Sequence, residues 1–207
     1  MKKVKICGLR RPEDIQMVNR LKPDYAGFVF AASSRQVTIS QAEKLSGLLD
    51  SDICPVGVFV NEDPEIVAKI AESGIIRLIQ LHGEEDAEYI QELKKKTGRL
   101  VMKAVRVKDT EAILEAEQLP CDYLLLDTYV KGQYGGSGQG FDRSLIPELK
   151  KPYLLAGGLN PDNVAQALKE CRAFGADVSS AVETEGYKDE KKIQAFLDAV
   201  RKGQRDE

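Results

Sequence analysis

Short runs of apolar residues recur along the chain at nearly even intervals: 4–7, 25–30, 56–60, 77–81, 100–105, 123–127, 153–156 and 174–178. Runs that stay apolar on both alternating faces are the pattern of strands covered on both sides, as in parallel sheets. Between them apolar residues return at helical spacing: Ile15, Val18 and Leu21, then Leu45, Leu48 and Leu49, then Ile193, Phe196, Leu197 and Val200. The pattern predicts eight strands, each followed by a helix. Ser40 and Glu43 fit a capping box, and Asp63-Pro64 and Asn160-Pro161 each put a capping residue before a proline suited to the first helical position. Repeated strand–helix units imply a parallel sheet, and eight of them close most simply as a (β/α)₈ TIM barrel. An open doubly wound sheet is the structural alternative.

Composition narrows this picture. The 207 residues are 43% hydrophobic and 30% charged, enough to bury one core and stay dispersed. No Ser- or Pro-rich linker divides the chain, so a single domain over 1–207 is expected, with 201–207 as a frayed tail. Thirty basic against 33 acidic residues give a formal charge of −3, which offers no basic field for nucleic acid. No window approaches the roughly 18 uncharged apolar residues of a membrane span, Lys5 and Arg10 interrupting the first candidate, so a cytoplasmic protein is expected. Cys7, Cys54, Cys121 and Cys171 form no C-x-x-C pair and His82 is the only histidine, so no metal site is expected and the thiols should be reduced.

In such a barrel the active site lies at the carboxyl ends of the strands. Strand one ends at Cys7, which is a candidate base if it has thiolate character and otherwise a small buried hydrophobe. Strand six ends at Asp127, where a carboxylate is either capped by backbone donors or exposed to a site with its pKa raised. Strand four ends with Gln80 and His82, suited to hydrogen-bonding substrate hydroxyls, and His82 is also a conceivable second base. Gly157 and Gly158 after strand seven, with Ser179, Ser180 and Ala181 after strand eight, suggest a phosphate cradle of backbone amides. Arg35 follows strand two and suits a carboxylate partner. The glycine-rich stretch 132–140, which contains Gly136 and Ser137, has the composition of a lid over a substrate.

Taken in order, Lys5-Ile6-Cys7-Gly8, Gly27-Phe28-Val29-Phe30, Ser34-Arg35-x-Val37, Gly57-Val58-Phe59-Val60-Asn61, Gln80-Leu81-His82-Gly83, Leu126-Asp127, Gly135-Gly136-Ser137-Gly138-x-x-Phe141-Asp142, Leu155-Ala156-Gly157-Gly158-Leu159 and Asp177-Val178-Ser179-Ser180 resemble the phosphoribosylanthranilate isomerase family along nearly the whole chain. The resemblance implies a barrel of the ribulose-phosphate-binding type and an Amadori rearrangement in tryptophan biosynthesis that needs no cofactor. It implies Asp127 as general acid and Cys7 as general base. It also implies Arg35 on the anthranilate carboxylate, Gly157, Gly158, Ser180 and Ala181 at the phosphate, and Asp177 at the site. The small-molecule substrate would be the partner, with the chain a monomer or homodimer. Ser137, Arg143 and Ala181 depart from the family's usual threonine, tryptophan and glycine. The competing expectations are a histidine-pathway isomerase on the same fold and a phosphate-binding barrel without activity.

Overall fold

Eight parallel strands pair in chain order and the first pairs with the last, so the sheet has no free edge. The strands are β1 (Lys3–Cys7), β2 (Tyr25–Val29), β3 (Cys54–Phe59), β4 (Leu78–Leu81), β5 (Leu100–Val107), β6 (Tyr123–Thr128), β7 (Tyr153–Leu155) and β8 (Gly175–Val178). The helices are α1 (Pro12–Leu21), α2 (Ile39–Leu48), α3 (Pro64–Glu72), α4 (Ala87–Thr97), α5 (Thr110–Gln118), α6 (Val164–Glu170) and α7 (Glu190–Lys202). The structure, a computed structural model, describes residues 1–128 and 141–202. The lid expected over 132–140, with Gly136 and Ser137, lies outside the described residues. Closure of the barrel excludes the open-sheet alternative.

Alternation along each strand divides the core in two. Val4, Ile6, Phe28, Ile79, Leu124 and Leu126 face outward and pack with helix residues such as Ile15, Val67, Ile90 and Phe196. Val56, Leu78, Met102, Ala104, Leu125, Leu154 and Ala156 face inward and fill the barrel. This is why the strands read as unbroken apolar runs, one parity serving each core. Among the described residues no helix is long and apolar enough to cross a membrane.

Helix starts follow the expected chemistry with two shifts. Asp63 caps α3, its side chain accepting from Glu65 N at 2.8 Å, with Pro64 at the first helical position. The capping box of α2 is formed by Thr38 and Gln41, not Ser40 and Glu43. Val37 is buried against the barrel, which leaves Thr38 extended at the point where the chain turns, two residues before the expected cap. Asn160 accepts from Asp162 N and Asn163 N and so closes a turn, and α6 begins only at Val164, with Asn163 as its cap.

The strand–helix alternation also breaks twice. Between β6 and β7 the described residues form only a 3₁₀ turn, Arg143–Leu145, and Arg143 pairs with Glu170 at 2.5 Å. After β8 come a 3₁₀ turn, Ser180–Val182, and a hairpin of β9 (Glu183–Thr184) and β10 (Tyr187–Lys188) before α7. Helix α7 continues through Arg201 and Lys202, into the expected tail, because the Arg201 guanidinium donates to the carbonyls of Leu21 and Lys22 at the end of α1. Residues 203–207 lie outside the described residues.

Candidate active site

The inward parity that fills the barrel also delivers the polar residues to its mouth. Asp127 follows Leu125 by two residues on β6, Gln80 and His82 follow Leu78 by two and four, and Cys7 follows Lys5 by two on β1. They meet in a hollow of about 700 Å³ lined by Cys7, Arg35, Gln80, His82, Asp127 and Asp177 among others. That volume falls in the range of roughly 300–1,000 Å³ usual for small-molecule sites. A second hollow of about 200 Å³ opens between the ends of β7 and β8 and shares Asp127, Asp177 and Ser179 with the first.

Asp127 is only 7% exposed, and burial pushes its pKa up to about 6. A hydrogen bond from Thr128 N to its Oδ1, at 2.8 Å, works in the opposite direction without overcoming burial. Cys7 is buried, and desolvation lifts its thiol above the ordinary value while the charge of Lys5 opposes that rise. His82 is held neutral: burial and then the charges of Lys5, Lys103 and Arg106 bring it down to about 3. Its Nε2 stands 3.6 Å from Asp127 Oδ2, beyond hydrogen-bond range. A histidine so disinclined to protonate is a poor second base and a good neutral hydrogen-bonding group. His82 Nε2 and Gln80 Oε1 are buried without a hydrogen-bond partner among the described residues. Each leaves a polar atom for a bound molecule to satisfy.

The smaller hollow is lined by Gly157, Gly158, Leu159, Asn160, Ser179, Ser180 and Ala181. Gly157 has φ +77°, and a methyl added there would lie 2.1 Å from Thr128 Oγ1 and 3.0 Å from Asp127 Oδ1. Only glycine fits between the turn and the carboxyl. Ala181, where the family's usual residue is glycine, is absent from the positive-φ positions and sits in the 3₁₀ turn, so its side chain imposes no backbone strain.

Arg35 lies at the rim, where its Nε and Nη2 donate to the two carboxylate oxygens of Glu183 at 2.8 and 2.7 Å. Lys188 Nζ binds the same carboxylate at 2.6 Å and the Ser179 carbonyl at 3.0 Å. The hairpin therefore orients Arg35, a residue of the hollow's lining, through Glu183. Neither Glu183 nor Lys188 is legible in the sequence, because a two-residue strand carries no periodic signal. Lys5 by itself likewise carries no functional signal in the sequence pattern. It is completely buried and pairs with Asp177 at 2.9 Å beneath the mouth. Its parity with Cys7 was the available clue.

A mouth that pairs a carboxyl raised to about 6 with a thiol, beside a glycine-lined hollow, can move protons on a bound small molecule. This puts the protein among the barrel isomerases. The family model described as "N-(5'phosphoribosyl)anthranilate (PRA) isomerase" matches residues 4–199. The chain is 49% identical over 203 residues to the N-(5'-phosphoribosyl)anthranilate isomerase of Thermoanaerobacter pseudethanolicus, covering 97% of this chain and 98% of that protein. It superposes on the Thermotoga maritima phosphoribosyl anthranilate isomerase with a TM-score of 0.87 at 36% identity, covering 98% and 100% of the two chains. A phosphoribosyl anthranilate isomerase in complex with reduced 1-(o-carboxyphenylamino)-1-deoxyribulose 5-phosphate gives 0.82 at 34% identity with the same coverage. The Thermotoga enzyme is also described as dimeric, with monomers generated from it. The chain belongs to the N-(5'-phosphoribosyl)anthranilate isomerase family. It is a tryptophan-pathway isomerase of the aldose–ketose kind, not the histidine-pathway enzyme or an inactive binder.

Proposed function

We propose that Asp127 is the general acid and Cys7 the general base of the rearrangement of N-(5'-phosphoribosyl)anthranilate to 1-(2-carboxyphenylamino)-1-deoxyribulose 5-phosphate. The observation that carries this reading is the pair itself: a carboxyl raised to about 6 and a thiol on separate strands of one closed barrel, lining one hollow. Asp127 gives its proton to the furanose ring oxygen as the C1–O bond breaks and the anthranilate nitrogen forms an iminium at C1. The iminium acidifies the C2 proton, Cys7 removes it as thiolate, and the C2–H electrons form the enolamine, which tautomerises to the ketone. C1 is reduced and C2 oxidised within one molecule.

The other residues serve binding. The backbone amides around Gly157, Gly158, Ser180 and Ala181 hold the phosphate, with Ser179 and Asp177 on the shared wall. Arg35 offers Nη1 to the anthranilate carboxylate. Gln80 Oε1 and His82 Nε2 gain their missing partners from ribose hydroxyls. The chain works in the cytoplasm as a single domain, monomeric or homodimeric, with the phosphosugar as its partner.

The protonation states give the test. Activity needs Asp127 protonated and Cys7 ionised, although the first titrates near 6 and the second above its ordinary value of 9.0. Between those pH values one fraction grows as the other shrinks, and their product is constant. Below about 6 the carboxyl stays protonated while thiolate vanishes tenfold per unit. Above the thiol's titration the acid form vanishes equally fast. A profile of kcat/KM over pH should therefore be a plateau from about 6 to beyond 9, with a limb on each side. A steady decline through neutrality would contradict the assignment.

A further inference from the structure

A thiol buried to 8% exposure is a poor base unless something favours its ionised form, and the strand that carries it also carries a fully buried charge. That charge is Lys5, two residues before Cys7 on β1, so both side chains enter the barrel from the same face of the strand. A methyl added at Gly27 on β2 would lie 2.9 Å from Cys7 Sγ and 3.2 Å from Lys5 Nζ, so sulfur and ammonium border the same point of the barrel wall. The ammonium has three protons, and among the described residues the one oxygen accepting from it is Asp177 Oδ1 at 2.9 Å. We propose that Lys5 is a positioning residue for the isomerase reaction: anchored by Asp177, its fixed charge under Cys7 sets how much of the thiol is available as thiolate. The proposal rests on Cys7 being the base.

The surrounding charges bear this out. Cys7 is faced by Lys5 on its own strand, by Asp177 from β8 and by Lys188 from the hairpin, and its charge is felt by Arg35 beyond β2. Lys5 is the strongest of the cations acting on the thiol. Lys188 and Arg35 are both engaged with Glu183. Across the barrel Lys5 also faces His82 and Asp127, and it helps keep His82 neutral. Burial opposes the charge of Lys5, but Asp177 and Cys7 together hold its pKa above the usual lysine value. The neighbouring Asp177 and Cys7 thus favour the ammonium form of Lys5.

The test is the rate of Cys7 alkylation by iodoacetamide in the intact chain, read by mass spectrometry of the Cys7 peptide so that Cys54, Cys121 and Cys171 do not contribute. In Lys5→Met the rate at pH 8.5 should fall about tenfold or more, a rise of about one pKa unit, and the alkaline limb of kcat/KM should move up by a similar amount. A merely structural loosening would expose the thiol and speed alkylation. Because Lys5→Met strands Asp177 without its partner, the double variant Lys5→Met/Asp177→Asn provides a neutral replacement of the pair, and it should also alkylate more slowly than Asp177→Asn alone. Alkylation at the parental rate, or faster, in both comparisons would overturn the proposal. Slowed alkylation with kcat unchanged would instead sink the role of Cys7 as base, leaving the effect of Lys5 on the thiol intact.

Discussion

Asp127→Asn is expected to lower kcat by about 10²–10⁴-fold, the usual worth of a positioned general acid, while KM changes little. The amide has the size of the carboxyl and can still accept from Thr128 N, so the local backbone is held as before. What disappears is the proton that ring opening needs. The same substitution should leave the fold as stable or more stable. A carboxyl near 6 in the folded protein and 3.8 when unfolded is destabilising as an anion, fully so above pH 6 and progressively less as pH falls toward 3.8. Removing that charge should raise the unfolding free energy at pH 7.5 by up to roughly 3 kcal/mol, and the gain should vanish below pH 4. Kinetics and thermal unfolding at two pH values check both halves. A stability loss at pH 7.5 would mean that Asp127 is held by interactions favouring its charge.

Cys7→Ser is expected to reduce kcat by a comparable or larger factor, about 10³–10⁴-fold, because a serine hydroxyl does not ionise in the accessible range and cannot take the C2 proton. Oxygen for sulfur is a small change of volume, and Lys5 can donate to the hydroxyl as it does to the thiol, so binding of the phosphosugar should persist. With the thiolate requirement gone, the acid limb should disappear and the residual activity should fall from about pH 6 upward as Asp127 loses its proton. Steady-state kinetics across pH would reveal this, and near-parental turnover would remove Cys7 from the chemistry.

The barrel was legible because its strands are apolar on both parities, and that property follows from having one core inside and another outside. Residues closing those runs, Cys7, Gln80, His82 and Asp127, could be picked out as polar or reactive letters at strand ends. Other features depended on contacts between distant segments. Lys5 reads in the sequence as an interruption of an apolar run, yet it lies beneath the site's mouth, paired with Asp177 from 172 residues away. Glu183 orients Arg35 across 148 residues, from a hairpin too short to announce itself. Local competition accounts for the shifted helix starts: Thr38 and Asn163 take the caps because neighbouring residues are already committed to the barrel wall or a turn. The cradle's tolerance of Ala181 likewise turns on a backbone angle that no single letter encodes.

The division of labour between acid and base is open to one direct measurement: the kinetic isotope effect on kcat with substrate deuterated at C2, compared between the Cys7→Ser and Asp127→Asn variants. If Cys7 removes the C2 proton, its loss makes that step limiting, and the serine variant should show a full primary isotope effect. If Asp127 drives the earlier ring opening, the asparagine variant should be limited there and show an effect close to unity. A full effect in Asp127→Asn together with none in Cys7→Ser would reverse the assignment.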